Sequence, residues 1–105
     1  MEKAVQNKSE LINLLQQHSS RIRQFGVQRL GIFGSFVKDN VKETSDVDFF
    51  IEFFPQQKSF NNFMELGFYL GELTGRKIEL VTPQSLNKFI GKYILQEVEY
   101  VSIAA

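Results

Sequence analysis

Residues 31–52 read GIFGSFVKDNVKETSDVDFFIE, and this stretch decides the fold. It runs into residues 46–54 (DVDFFIEFF), which are dense in β-branched and aromatic residues and are followed by Pro55, and this composition predicts a strand. Its first half completes the segment VQRLGIF at 27–33, a second predicted strand, which runs into a turn at Gly34-Ser35. We therefore expect a sheet that contains both segments.

Helical periodicity surrounds this stretch on both sides. Apolar residues recur at helical spacing over 9–25 and 59–73, and Thr82-Pro83 is a typical helix start before a final helix. Residues 77–81 (KIELV) predict a third strand. The resulting order, α-β-(α)-β-α-β-α, predicts an α/β fold in which helices pack on a small mixed sheet of about three strands.

Composition excludes several classes of protein. The 105 residues predict one domain over 1–105, and 12 basic residues balance 12 acidic ones, which removes the usual electrostatic reason to expect nucleic acid or a membrane surface as partner. The absence of cysteine excludes disulfides and thiol catalysis, and the single His18 excludes a histidine-rich metal cluster. No apolar run reaches the roughly 20 residues of a membrane span and no signal peptide is evident, so we expect a cytoplasmic protein.

Two acidic residues and a glycine-serine turn form the candidate site. Asp46 and Asp48 are two apart on a predicted strand, so their carboxylates leave the same face, where a divalent cation would relieve their repulsion. Oxygen ligands alone suit Mg²⁺ or Mn²⁺. The Gly34-Ser35 turn can approach and hydrogen-bond a phosphate. Glu79, which interrupts the apolar run of KIELV, is the candidate third metal ligand or general base.

These residues resemble a known family. G-S-F followed by S-D-V-D is similar to the pattern G-S-x-A-R-G…S-D-[IVL]-D of the minimal nucleotidyltransferases in the DNA polymerase β-like superfamily, and GRKIELVTPQSL is similar to their G-R-K-V-D-L-V-T-P-x-x-L. The resemblance implies a polymerase β palm-like fold. It also implies that Gly34 and Ser35 hold nucleotide phosphates, and that Asp46 and Asp48 hold two Mg²⁺ ions with Glu79 in place of the third Asp.

The sequence departs from that pattern at two further positions. Lys38 stands where the family has Arg, so a phosphate contact there would lack the planar guanidinium fork, and a solvated lysine is the alternative reading. Asp39 replaces the following Gly and adds a negative charge near the expected triphosphate. Ser45 is a further candidate for nucleotide binding, with a simple turn role as its alternative.

The resemblance implies an enzyme that transfers a nucleoside monophosphate, AMP from ATP, to a hydroxyl acceptor. In this family the common partner is a helical HEPN-domain protein, so the implied acceptor is a tyrosine of a HEPN ribonuclease toxin and the implied role is that of an antitoxin. The departures leave an alternative, a degenerate binding module that neutralises its partner by occlusion. A subunit of an aminoglycoside-type transferase is a third hypothesis, disfavoured because a second domain is missing. Association between copies of the chain is left open.

Overall fold

The computed structural model describes residues 4–86 and 90–103. In chain order its elements are α1 (Lys8–Gln17), α2 (Ser19–Gln24), β1 (Val27–Phe33), β2 (Val47–Phe53), α3 (Phe60–Thr74), β3 (Ile78–Val81), α4 (Ile90–Glu97) and β4 (Glu99–Val101). Short 3₁₀ turns follow the first three strands, at Gly34–Phe36, Pro55–Gln57 and Pro83–Ser85. Across the described ranges, no helix has both the length and the apolar character needed to span a membrane.

The sheet is mixed and has four strands in the order β3-β2-β1-β4. Strand β1 is antiparallel to β2 and β4, and β2 is parallel to β3. The predicted α/β class and mixed sheet are confirmed, but the strand count of three is one too low. The missed strand β4 begins at Glu99, two residues after the end of α4 at Glu97. Because β4 has only three residues, it is too short to display an alternating pattern.

Two predicted helices differ from the structure. The single helix expected over 9–25 is two helices, because the backbone of His18 (φ −109°, ψ 20°) leaves the helical region between α1 and α2. After β3, Thr82-Pro83 begins a 3₁₀ turn rather than a long helix, and Leu86 is extended (ψ 135°). Residues 87–89, including the Phe89 expected on the final helix, lie outside the described residues, and α4 is described from Ile90.

Strand β2 is buried on both faces, and this places the site. On one face Phe49 and Phe53 pack among apolar side chains of α1 and α3. On the other face Phe50 packs with Phe33 of β1 and Ile94 of α4. Each fully buried phenylalanine contributes about 1.5–3 kcal/mol through removal of its ring from water. Asp48 alternates with Phe49, so it faces the α4 side of the sheet.

Candidate functional site

The turn after β1 brings backbone close to a carboxylate. Gly34 has φ +77°, and a Cβ at this position would collide with Oδ2 of Asp48, so both conformation and space require glycine. The carbonyl of Gly34 accepts hydrogen bonds from the N–H groups of Val37 and Lys38, each at 3.1 Å. The fully buried Phe36 side chain anchors the turn to the core. The turn is therefore fixed against Asp48, one of the predicted metal ligands.

Asp48 and Glu79 are direct neighbours on the parallel strands β2 and β3. Burial raises the pKa of Asp48 to about 6, and the negative charges of Glu79 and Asp46, together with hydrogen bonding to Glu79, act in the same direction. Crowded carboxylates of this kind are what a bound cation would relieve. Asp46 lies just before β2 and is exposed. Within residues 4–86 and 90–103, no three acidic or histidine side chains are grouped closely enough to form a metal site.

A glutamate that the sequence analysis did not single out contacts two of the four predicted nucleotide-binding residues. Oε2 of Glu97 accepts a hydrogen bond from the N–H of Gly34 at 2.6 Å, and its Oε1 lies 3.0 Å from Nζ of Lys38. Partial burial acts to raise the pKa of Glu97, but the bonds from Lys38 and Gly34 outweigh burial and hold the pKa below its usual value. No local sequence pattern predicts this contact, because 63 positions separate Glu97 from Gly34.

These groups surround one cavity of about 710 Å³ between the sheet and α4. Its lining includes four of the seven predicted site residues, together with side chains of α4: Gly34, Lys38, Asp48, Glu79, Ile94 and Glu97. The cavity therefore brings the Gly34 N–H and the Lys38 ammonium together with the carboxylates of Asp48, Glu79 and Glu97. Such a distribution suits a ligand that carries phosphate groups and a cation.

The remaining predicted residues lie outside this lining. Oγ of Ser45 accepts a hydrogen bond from the N–H of Lys42 at 2.8 Å, so the structure places this hydroxyl in the turn before β2. The carbonyl of Ser35 accepts the N–H of Asn40 at 3.0 Å, which closes the loop after the Gly34 turn. Nucleotide binding by either serine stays a prediction.

Arg76 organises the loop that leads to the acidic strand, and the sequence analysis gave it no role although it lies in GRKIELV. Its Nε donates to the carbonyl of Val5 at 2.7 Å, and its Nη1 donates to the carbonyls of Lys42 and Ser45, both at 2.9 Å. The guanidinium carbon also lies 5.2 Å from the centre of the Phe36 ring. One side chain therefore ties together the Gly34 turn and the approach to Asp46.

Comparisons with known proteins agree with this geometry. Residues 10–101 match the nucleotidyltransferase domain family. The chain is 41% identical over 93 residues to the protein adenylyltransferase MntA of Thermococcus cleftensis, covering 88% of this chain and 93% of the relative. Its fold is similar to the solved structure of a minimal nucleotidyltransferase (TM-score 0.79, 21% identity, 92% of this chain and 98% of the other). It is also similar to a chain in the structure of a toxin–antitoxin with AMP-PNP (TM-score 0.66, 18% identity, 91% and 73%).

The family match covers nearly the whole sequence, including every strand of the sheet and the cavity between the sheet and α4. The similarity to the Thermococcus relative is a similarity of sequence as well as of fold, since 41% of 93 residues are identical. The nucleotidyltransferase fold implied by the resemblance is therefore confirmed. The chain belongs to the nucleotidyltransferase domain family and is a nucleotidyltransferase.

Proposed function

We propose that this chain transfers AMP from ATP to a hydroxyl group of a partner protein. The observation that carries the proposal is the meeting of the Gly34 N–H and the Lys38 ammonium with the carboxylates of Asp48 and Glu79 around one cavity. The name of the Thermococcus relative, a protein adenylyltransferase, supports adenylyl transfer, and AMP-PNP in a structural neighbour supports an adenine nucleotide.

The predicted site residues form two groups, hydrogen-bond donors and carboxylates. Gly34 and Lys38, with Ser35 and Ser45 as further candidates, would bind the nucleotide, since N–H, ammonium and hydroxyl groups donate to phosphate oxygens. Asp46, Asp48 and Glu79 would hold Mg²⁺, with Mn²⁺ as a substitute.

Asp48 and Glu79 supply oxygen ligands that suit this ion, since they are strand neighbours, and burial together with nearby negative charge raises the pKa of Asp48. Asp46, just before β2, would add the third carboxylate. When bound, the ion would stabilise negative charge on the triphosphate as pyrophosphate leaves. Glu79 is also a candidate general base toward the attacking hydroxyl.

The acceptor we propose is a tyrosine of a helical HEPN-domain toxin, which makes this chain its antitoxin. The fold similarity to a chain of a toxin–antitoxin structure supports a toxin partner. An apolar surface lies next to the site: Phe60 and Phe68 of α3 are 78% and 67% exposed, and a shallow groove beside them reaches Glu79. Exposed aromatic side chains at this density are typical of protein-binding surfaces.

Intact-mass measurement tests the proposal. The chain is purified together with a co-expressed HEPN-domain toxin, the proposed partner, and incubated with ATP and Mg²⁺. We expect the partner to gain the mass of an adenylyl group, and Asp48→Asn to abolish the gain. The matched control is Glu52→Gln, on the same strand and sheet face but paired with Arg29 at 3.5 Å, away from the cavity. No mass gain with the wild-type pair, or an equal gain with Asp48→Asn, would contradict the proposal.

The exposed face of α3 also supports a second candidate, a binding module that neutralises its partner by occlusion alone. The two functions differ in their need for the carboxylates. Under occlusion, Asp48→Asn still binds and neutralises the toxin, whereas adenylyl transfer requires that a folded, partner-binding Asp48→Asn protein fails to neutralise it.

A further inference from the structure

One carboxylate occupies both donors that the proposed function assigns to the nucleotide. The two oxygens of Glu97 each take one donor: Oε2 the N–H of Gly34 at 2.6 Å, and Oε1 the ammonium of Lys38 at 3.0 Å. A phosphate group would need the same two donors, and it presents the same chemistry, namely anionic oxygens that accept hydrogen bonds. In this arrangement the protein supplies its own anion.

Backbone hydrogen bonds on both sides of Glu97 hold this residue in place. Glu97 ends α4, and the next residue, Val98, donates its N–H to the carbonyl of Ile94 at 2.8 Å. Strand β4 then pairs with β1, with Glu99 opposite Ile32, two residues before Gly34. The Glu97 side chain is only 24% exposed. The backbone on both sides of the contact is therefore held by the sheet.

We infer that Glu97 is an internal competitor for the nucleotide-phosphate anchor, and that a nucleotide binds only by displacing its carboxylate from Gly34 and Lys38. The inference rests on the proposed function and concerns the control of the same site. Two anions do not share one N–H and one ammonium without strong repulsion, so nucleotide binding and the Glu97 contact exclude each other. The apparent affinity for the nucleotide is reduced in proportion to the fraction of molecules in which the anchor is free.

A ligand that has only a phosphate group forms hydrogen bonds to Gly34 and Lys38, but the Glu97 carboxylate loses equivalent hydrogen bonds when it leaves. The net gain in binding free energy at the anchor is therefore small. A metal–triphosphate would also engage Asp48 and Glu79, which line the same cavity, so it has an additional source of binding energy. Glu97 should therefore weaken the binding of both kinds of ligand by the same factor, so that a simple phosphate anion, which has no second source of binding energy, is held only weakly. Inorganic tripolyphosphate without metal tests the anchor alone, whereas MgATP tests the whole site.

The experiment measures dissociation constants by calorimetry for MgATP and for metal-free tripolyphosphate. Glu97→Gln removes the charge and keeps the shape. Glu99→Gln is the matched control, since Glu99 also pairs with a lysine (Lys8, 2.8 Å) but lies away from the anchor. Hydrogen bonds to charged groups have strengths that correspond to roughly tenfold or more in an equilibrium constant. We expect Glu97→Gln to bind both probes about 10-fold more tightly, and Glu99→Gln to stay within about twofold of wild type.

Several results would overturn the inference. Equal or weaker binding by Glu97→Gln, with wild type binding MgATP, would overturn it and leave the proposed function standing. No binding of MgATP by either protein would overturn both. If the variant does not fold, the wild-type protein provides the test through the side-chain carboxyl ¹³C resonance of Glu97. That resonance should move when MgATP saturates the protein, and an unmoved resonance would overturn the inference.

Discussion

Arg76 offers the sharpest test of how the fold positions the site. Its guanidinium donates to the carbonyls of Val5, Lys42 and Ser45, and more weakly to that of Glu43 at 3.3 Å. The bonds to Val5 and Ser45 are partly buried, whereas water can replace those to Lys42 and Glu43. Hydrogen bonds from a charged donor contribute about 1.5–3 kcal/mol each when protected, so two partly protected bonds give a loss of about 2–3 kcal/mol in Arg76→Ala.

For a domain near 100 residues this loss corresponds to a melting temperature roughly 10–20 °C lower. The assay is thermal and urea denaturation of wild type, Arg76→Ala and the neighbouring Lys77→Ala. The Lys77 side chain is exposed, so Lys77→Ala should stay within about 0.5 kcal/mol of wild type. Arg76→Lys should recover only a part of the loss, since one ammonium cannot reach carbonyls on both sides. A loss below about 1 kcal/mol in Arg76→Ala would refute the reasoning.

Three further predictions concern the cavity itself. Asp48→Asn should raise the melting temperature at pH 8 but change it little at pH 4. The pKa of Asp48 is about 6 in the folded protein and 3.8 in the unfolded chain. The stability that comes from the bound proton is therefore fully present below pH 3.8 and is lost as the pH rises through 6. Thermal melts across this pH range check it, and a pH-independent difference would contradict it. Gly34→Ala should lower stability by about 2 kcal/mol or more, through left-handed strain and the collision with Asp48, and should abolish MgATP binding; wild-type affinity would contradict it. Asp39→Gly should change the free energy of unfolding by less than about 1 kcal/mol, because relief of the left-handed strain at φ +59° offsets the added freedom of the unfolded chain. The same variant should bind MgATP more tightly, because a negative charge is removed. Denaturation measures the first effect and calorimetry the second, and weaker MgATP binding would contradict the prediction.

The central strands could be predicted because their signals are local. Strand β2 has apolar and aromatic residues on both faces and a proline directly after it, and the prediction of 46–54 differs from Val47–Phe53 by one residue at each end. The left-handed conformation of Asp39 also agrees with the glycine that the family pattern has there. Such features depend on neighbouring residues, which a sequence displays directly.

The missed features depend on distant contacts. Strand β4 exists because three residues pair with β1, a condition that its own composition does not reveal. Glu97 acquires its role from Gly34, 63 residues earlier, and Arg76 from carbonyls 31 and 71 residues away. The break at His18 is equally hidden, since the apolar spacing continues across it through Leu15 and Ile22. Side-chain partners of this kind are fixed only when the tertiary fold is complete.

The place of β2 in the sheet has a consequence for the motions of the site. Strand β2 is hydrogen-bonded on both sides, to β1 and to β3, so its amides can exchange with solvent only through opening of the sheet. The Gly34 turn and the end of α4 are joined instead by one glutamate side chain and by a strand of three residues. The slowest amide hydrogen exchange should therefore be found around Asp48, and the fastest response to ligands around Gly34. The cavity therefore combines a carboxylate held on a rigid central strand with a donor pair whose bound anion, the Glu97 side chain, can be exchanged.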